Sequence, residues 1–191
     1  MRAFDVHVGT GVPMERANVD TDQIIPKQFL RRTERSGYGE FLFFDWMKAP
    51  DFVLRQPQYE GASIMVAGAN FGCGSSREHA VWALEDKGYR VVVASSFADI
   101  FRSNSYQVGL LPVVLKEEEV QYLMALIKAR PESEIRVDLQ AQTVEAEGFE
   151  AHFEITAFAK GRLLAGLDEV GLLLMHDAEI RAYERTHQQV V

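Results

Sequence analysis

One glycine- and serine-rich stretch carries the residue types best suited to chemistry, residues 70–80 with the sequence NFGCGSSREHA. Gly72 and Gly74 allow a tight turn and a close approach of the backbone to a ligand. An apolar strand is predicted before them and an amphipathic helix after them. Ser75 or Ser76 is the predicted N-cap, so free backbone N–H groups and the positive end of the helix dipole should gather there. The stretch therefore predicts an anion site.

The next three residues refine this prediction. Arg77 is poorly placed for helix stability, because a first turn favours a carboxylate, but its guanidinium can bind a ligand carboxylate with two parallel hydrogen bonds. Glu78 and His79 are acid or base candidates by type, although positions inside the helix favour orientation or core hydrogen bonding. A hydrolase using Cys73 as nucleophile would need a nearby base, and His79 is expected to point away from it. Carboxylate binding at Arg77 is the leading hypothesis.

Three blocks of the sequence resemble one known family. Residues 70–80 closely resemble the signature of the aconitase swivel domain, in particular that of the small subunits of 3-isopropylmalate dehydratase. Residues 18–30, NVDTDQIIPKQFL, resemble the N-terminal signature of that family, and residues 96–102 with 109–113 resemble its third. The blocks lie in the order of the family and cover most of residues 1–115.

This resemblance implies an enzyme subunit. The implied reaction is the dehydration and rehydration that interconverts 2- and 3-isopropylmalate in leucine biosynthesis, catalysed by a hydro-lyase that is active only with a large subunit. Small subunits of homoaconitase and of citraconate- or dimethylmalate-type hydratases share the motifs and stay open as alternatives. A phosphate-binding module is a remote alternative, because the glycine turn lacks the P-loop ending and the dinucleotide pattern.

The resemblance also assigns roles to residues. Ser75 matches the catalytic base, which would act as an alkoxide stabilised by the N–H groups of the glycine turn and by Arg77. Ser76 and Arg77 match the residues that hold a substrate carboxylate. Thr21 and Asp22 match the Thr-Asp pair beside the substrate, whereas composition alone would make this stretch a loop with Asx-turns. No metal ligand is assigned to this chain.

A loop of about residues 27–45 is expected to recognise the isopropyl group. Lys27 is the candidate for completing the anion site, with Arg31 and Arg32 open as alternatives. Three apolar residues of this loop are candidates for touching the isopropyl group, although aromatic clusters are more often core: Phe29, Leu30 and Tyr38. The residues between the two parts of the third block depart from the family pattern, with serine, serine and valine where asparagine, cysteine and asparagine are common: Ser103, Ser105 and Val108.

Composition limits the partners. The net charge of −8 and pI near 5.2 disfavour nucleic acid and an anionic membrane, which recruit basic surfaces. The single cysteine cannot ligate an iron–sulfur cluster, which needs about three or four thiolates, so a [4Fe–4S] cluster is expected on the large subunit. The absence of a signal-like N-terminus predicts a cytoplasmic protein. An exposed active face is expected to allow self-association of the isolated chain.

The elements that must position these residues alternate between strands and helices. Buried strands are predicted at 63–67, 89–94 and 110–115, with helices after the first two and at 116–130. A hairpin is predicted around Gly9-Thr10-Gly11. Further predicted segments are antiparallel strands at 134–139, 143–146 and 153–158, and C-terminal helices at about 161–175 and 177–187.

Together these elements predict an α/β fold with a mixed sheet. At 191 residues the chain suits one domain, residues 1–191. The resemblance implies the three-layer β/β/α swivelling domain, like domain 4 of aconitase.

Overall fold

A seven-stranded sheet with the order β4-β3-β2-β1-β5-β6-β7 organises the computed structural model, which describes residues 1–31 and 35–187. The strands are β1 Val6–Met14, β2 Ile64–Ala67, β3 Val91–Ala94, β4 Leu111–Val114, β5 Glu134–Asp138, β6 Thr143–Ala146 and β7 Phe149–His152. Strands β1 to β4 pair in parallel, whereas β5 to β7 continue from β1 in antiparallel pairing. The predicted α/β fold with a mixed sheet is confirmed.

Strand β1 joins the two halves of the sheet. Its first half pairs with β5 and its second half with β2. The predicted hairpin at Gly9-Thr10-Gly11 is wrong, because the glycines serve close packing. A Cβ on Gly9 would lie 2.1 Å from Ser63 Oγ, and one on Gly11 would lie 2.6 Å from Ile127 Cδ1.

The central strands are buried on both faces, as expected of strands covered by helices and loops. Along β2, Met65 and Ala67 belong to one core, and Ile64 and Val66 belong to the other. The first core lies under α2 Glu78–Asp86, α3 Asp99–Val108 and the segment between β1 and β2. The second core is filled by α4 Glu117–Ala129 and by the inward side chains of the antiparallel strands.

The predicted strand at 153–158 is wrong. Phe149–His152 forms β7, and Thr156 caps the helix Ala157–Ala165 by accepting a hydrogen bond from the Ala159 N–H. The predicted helix at 161–175 is interrupted at Gly166, whose φ is 65° and whose added Cβ would lie 2.9 Å from the Ala3 backbone nitrogen. The C-terminal helices are Ala157–Ala165, Glu169–Leu174 and Asp177–Thr186.

The segment between β1 and β2 begins with a short helix, α1 Thr21–Ile24, and continues as 3₁₀ turns. Those turns are Lys27–Phe29, Gly39–Phe41, Trp46–Lys48, Val53–Arg55 and Pro57–Tyr59. Within residues 1–31 and 35–187, no helix has both the length and the apolar character to cross a bilayer.

Candidate functional site

The glycine turn follows β2 and runs between α1 and α3. Gly72 has φ 75°, and a Cβ there would lie 2.2 Å from Cγ of Phe101 in α3. Gly74 has φ 87° and lies on the other side of the turn, where a Cβ would be 3.4 Å from Cβ of Asp20. These glycines are required because the backbone is left-handed at both positions and touches a neighbouring element at each. The predicted tight turn is confirmed.

The start of α2 differs from the prediction. The helix begins at Glu78, and its N-cap is Arg77 in an extended conformation, with no side-chain hydrogen bond to the first turn. Neither Ser75 nor Ser76 is the N-cap, so the predicted serine cap is wrong. The reason is the length of the turn: Gly74 is still left-handed, and the chain needs the following residues to reach the helix axis. Among the described residues, the first-turn N–H groups of α2 therefore receive no side-chain cap from Arg77.

Helix α1 lies directly against this turn. Asp20 caps it through a capping box, in which its carboxylate accepts from the Gln23 N–H at 2.8 Å and the Gln23 side chain accepts from the Asp20 N–H at 3.0 Å. The predicted loop through this stretch is wrong at Thr21–Ile24, since the capping box supports one helical turn before Pro26. Sequence reasoning gave Asp20 no role beyond an Asx-turn, although Asp-x-x-Gln is a capping-box pattern.

Thr21 connects α1 to the glycine turn through two hydrogen bonds. Its backbone N–H donates to the Cys73 carbonyl at 2.9 Å, and its hydroxyl donates to the Ser75 carbonyl at 2.8 Å. Thr21 is 2% exposed, so these bonds are shielded from water. The Gly72 N–H adds a third link by donating to the Val19 carbonyl at 2.8 Å. The backbone on both sides of Ser75 is thus held by α1.

Asp22 and Arg77 form a bidentate ion pair across the same gap. Nη2 of Arg77 donates to Oδ2 of Asp22 at 2.8 Å, and Nη1 donates to Oδ1. The Arg77 side chain is 13% exposed and that of Asp22 is 52% exposed. Hydrogen bonding from Arg77 is the main cause that holds the pKa of Asp22 below its ordinary value, and the Lys27 backbone N–H and charge add to it. A guanidinium has five N–H donors, so Arg77 keeps three for another acceptor.

Ser75 and Ser76 lie on the open side of the turn, and both are exposed. Neither hydroxyl has a hydrogen-bond partner within the described residues. Ser75 therefore presents an exposed hydroxyl two residues before Arg77 in the chain. The structure brings together Thr21, Asp22 and Arg77 with this pair of hydroxyls.

Two asparagines that the sequence analysis did not single out form hydrogen bonds at the start of the glycine turn. Asn70 has φ 58° and Asn18 has φ 54°, a conformation that asparagine tolerates. The Asn70 side-chain amide donates to Oδ1 of Asn18 at 2.8 Å, and the Asn70 N–H donates to Oγ of Ser96 at 2.8 Å. These bonds connect the three sequence blocks, and asparagine beside a glycine-rich turn was the available signal.

The loop residues fall into two groups. Lys27 is exposed close to Asp22, whereas Phe29 and Leu30 are half-buried against the first core. Tyr38 is fully buried, so its ring offers no surface to a ligand in this conformation. Arg31 is exposed, and Arg32 lies outside the described residues.

The three departures from the family pattern lie on α3. Ser105 is fully buried, and its hydroxyl donates to the Phe101 carbonyl at 2.8 Å, so it supports the helix that packs on Gly72. Val108 packs against the first core. Ser103 is exposed on the far side of α3, where it lines a cavity of about 480 Å³ with Arg102.

Burial shifts the pKa values of two further candidates, Cys73 and His79. Burial, with the nearby Asp20 carboxylate, raises the pKa of the Cys73 thiol, which keeps it protonated and weakly nucleophilic. Burial lowers the pKa of His79, whose ring packs on Tyr38 and Trp82 at 5.2 and 4.7 Å. Over residues 1–31 and 35–187, no group of three or more His, Cys, Asp or Glu residues is placed to hold a metal ion.

Comparisons with known proteins identify the family of the chain. Residues 1–118 match the family model of the aconitase C-terminal domain, and residues 121–157 match the LeuD_N model. The chain is 53% identical to a 3-isopropylmalate dehydratase small subunit of Halalkalibacterium halodurans, over 96% of this chain and 98% of the relative. It is 52% identical to that of Streptomyces coelicolor, over 96% and 93%.

A solved structure shares the fold. The crystal structure of a 3-isopropylmalate dehydratase from Methanocaldococcus jannaschii is 27% identical, with a TM-score of 0.69 over 94% of this chain and 99% of that chain.

Proposed function

The chain belongs to the family of 3-isopropylmalate dehydratase small subunits, and from that premise we propose that it interconverts 2- and 3-isopropylmalate in leucine biosynthesis, as the small subunit of a hydro-lyase. The observation that carries the proposal is the set of contacts that places Thr21 and the Asp22–Arg77 pair beside exposed Ser75. A cytoplasmic location goes with this biosynthetic role.

Carboxylate binding falls to Arg77 and its neighbours in this proposal. The Nε–H of Arg77, the neighbouring Nη–H and the Ser76 hydroxyl would bind one substrate carboxylate, while Asp22 keeps the guanidinium plane oriented. Lys27 adds positive charge close to Asp22. Although the whole chain has a net charge of −8, the local positive charge of Arg77 and Lys27 would allow an anionic substrate to bind.

Proton transfer falls to Ser75. In the dehydration direction its oxygen would take a proton from carbon; the C–H electron pair forms the double bond as the C–O bond to the departing hydroxyl breaks. In rehydration Ser75 gives the proton to the carbon that lost the hydroxyl, while hydroxide adds to the carbon that lost the proton, so that the hydroxyl moves to the adjacent carbon. A serine base must act as an alkoxide, which the positive end of the α2 dipole and the charge of Arg77 would stabilise.

The departing hydroxyl needs a Lewis acid. The described residues of this chain do not fit a thiolate-bound cluster, since Cys73 is the one cysteine in the sequence. We therefore assign a [4Fe–4S] cluster to the large subunit, which would cover the face that carries Ser75. The same open face would support self-association of the chain when it is isolated.

Specificity for the isopropyl group is assigned to the loop of about residues 27–45. Phe29 and Leu30 are the candidates for direct contact, because each keeps part of its surface exposed. Tyr38 would support the loop from within the core. Homoaconitase-type and citraconate- or dimethylmalate-type substrates are the alternatives that this loop must reject.

A substrate panel tests the proposal. The small and large subunits would be purified separately, combined, and assayed with 2-isopropylmalate, homocitrate, citraconate and dimethylmalate. We expect turnover of isopropylmalate with kcat/KM at least about tenfold above the others, the discrimination that one or two apolar groups provide. Preference for another of these acids would overturn the substrate assignment, and binding of inorganic phosphate without any turnover would favour the phosphate-binding alternative.

A further inference from the structure

The returning arm of the specificity loop, the loop of about residues 27–45, consists of residues 35–39. This arm is attached to the C-terminal end of α2. The backbone N–H of Tyr38 donates to Oδ2 of Asp86, the last residue of that helix, at 2.7 Å. The contact is close, because a Cβ on Gly39 would lie 2.8 Å from the backbone nitrogen of Lys87 and 2.9 Å from the carbonyl carbon of Asp86. The loop backbone thus lies directly on the C-terminal turn of α2.

Aromatic contacts extend this attachment along the helix. The buried ring of Tyr38 packs edge-on to His79 at 5.2 Å and lies 5.7 Å from Trp82. The guanidinium of Arg35 lies over the Trp82 ring at 5.3 Å. Each of these helix residues belongs to α2, so the arm from Arg35 to Gly39 follows one helix.

The outgoing arm of the loop, which contains Phe29, is held by aromatic residues outside α2. Phe29 stacks on Phe41 at 4.1 Å and meets Phe44 edge-on at 4.9 Å, all within the segment between β1 and β2. One arm is therefore fixed to its own segment and the other to α2. The same helix has Arg77 as its N-cap, and its nine residues span about 13 Å.

We propose that Asp86 is a positioning residue for substrate specificity, which acts by latching the returning arm of the loop to α2. Phe29 stacks on Phe41, which lies two residues beyond Gly39, so the latch fixes the distance between Phe29 and the guanidinium of Arg77. A substrate carboxylate on Arg77 then meets the loop at a set separation, which suits the isopropyl group and disfavours other side chains. This inference rests on the proposed function for its substrate, but the latch itself is a property of the chain.

Trypsin measures the latch without any enzyme assay. Arg31 and Arg35 are exposed cleavage sites on the two arms, and cleavage of a folded protein follows the population of the open form. In the full-length chain, Asp86→Ala should increase cleavage after Arg35 about tenfold, because the Tyr38 N–H loses a charged acceptor. Asp86→Asn keeps an acceptor oxygen and should stay within about threefold of wild type. Glu85→Ala, which removes the same charge one residue away, is the matched control.

Kinetics with the large subunit measure the consequence. Asp86→Ala should raise the KM for isopropylmalate about tenfold and change kcat by less than about twofold, since the change affects binding geometry and no reacting atom. Asp86→Asn should restore most of the affinity. A general loss of fold would instead lower the active fraction, and with it kcat, at unchanged KM.

Gly39→Ala gives a second route to the same state if Asp86→Ala does not fold. Its methyl group would push the arm away from Lys87, whereas Gly161→Ala, which has open space around it, is its control. Wild-type cleavage rates in both Asp86→Ala and Gly39→Ala would overturn the latch. Faster cleavage with unchanged KM would overturn the role in substrate positioning. A wild-type complex that does not act on isopropylmalate would overturn the proposed function, while the trypsin result would still decide on the latch.

Discussion

Ser75 is the residue on which the proposed chemistry depends most directly. Its carbonyl is fixed by Thr21 and its hydroxyl is exposed, so the residue is held in place while its reactive atom stays available. The helix that follows takes no cap from this side chain. A contribution of Ser75 to catalysis can therefore be separated from a contribution to stability.

We expect Ser75→Ala to lower kcat of the reconstituted complex about 10²–10⁴-fold, the range of a lost proton-transfer group, and to leave the melting temperature unchanged. Ser76→Ala is the matched comparison, one residue away and equally exposed. It should raise KM and leave kcat within about tenfold. Steady-state kinetics and thermal unfolding of the same preparations give both numbers, and a near-normal kcat for Ser75→Ala would remove this residue from the mechanism.

The Asp22–Arg77 pair predicts a pH effect. The pKa of Asp22 is lowered in the folded protein, so the pair stabilises the fold at pH values above the ordinary aspartate pKa of about 3.9. That stabilisation is lost as the pH falls through the lowered pKa. Since Asp22 is half exposed, we expect Asp22→Asn to cost about 1 kcal/mol or less at pH 7 and nothing once the pH is below the lowered pKa.

Urea unfolding of wild type and Asp22→Asn across this pH range checks the sign. Glu147→Gln removes the exposed ion pair with Arg130 and serves as a control far from the site. Asp22→Asn should also raise the KM for isopropylmalate, whereas Glu147→Gln should not. A stability difference that grows towards acid pH would contradict the assignment of the shift to Arg77.

At the scale of elements, the glycine turn depends on α3. Gly72 combines a left-handed backbone with contact to the Phe101 ring, and Ser105 supports the same helix from within. This explains how a buried serine that departs from the family pattern still leaves the turn intact. The third sequence block therefore supports the glycine turn of residues 70–80.

We expect Gly72→Ala to destabilise the fold by about 2–6 kcal/mol, because the added methyl group meets the Phe101 ring at a strained φ. Gly61→Ala is the matched control, with φ 78° and nothing within 4 Å of the added carbon, and should cost about 1 kcal/mol from backbone strain alone. The free energies of unfolding in urea distinguish the two. Equal losses of unfolding free energy in the two variants would mean that α3 moves away from the added methyl group at little energetic cost.

Sequence patterns found the elements with local signals. The β2-turn-α2-β3 unit was predictable because apolar runs, glycines and helical periodicity occur there in order. The hairpin prediction at Gly9-Thr10-Gly11 failed because the reason for those glycines lies in Ser63 and Ile127, far away in sequence. The burial of Tyr38 and its bond to Asp86 were missed for the same reason, since both depend on how the loop folds back.

At the scale of the whole molecule, the proposed function has the large subunit complete a site that lies on one open face of this chain. We expect the purified chain to carry no iron and to show no dehydratase activity, and activity to appear when the cluster-bearing large subunit is added. Iron content, visible colour and turnover before and after mixing provide the measurement. Colour and turnover in the single chain would contradict the assignment of the cluster to its partner.

The place of β1 between the two halves of the sheet limits how the polypeptide can be divided or synthesised in stages. Val6–Thr10 pair with β5, which lies beyond residue 118, where the match to the aconitase C-terminal domain ends. A fragment that stops there would leave this strand with a bare edge and the second core without Ile135 and Val137. Such an edge recruits strands from other molecules. During synthesis on the ribosome, β1 therefore emerges first and cannot complete its strand pairing until β5 has emerged.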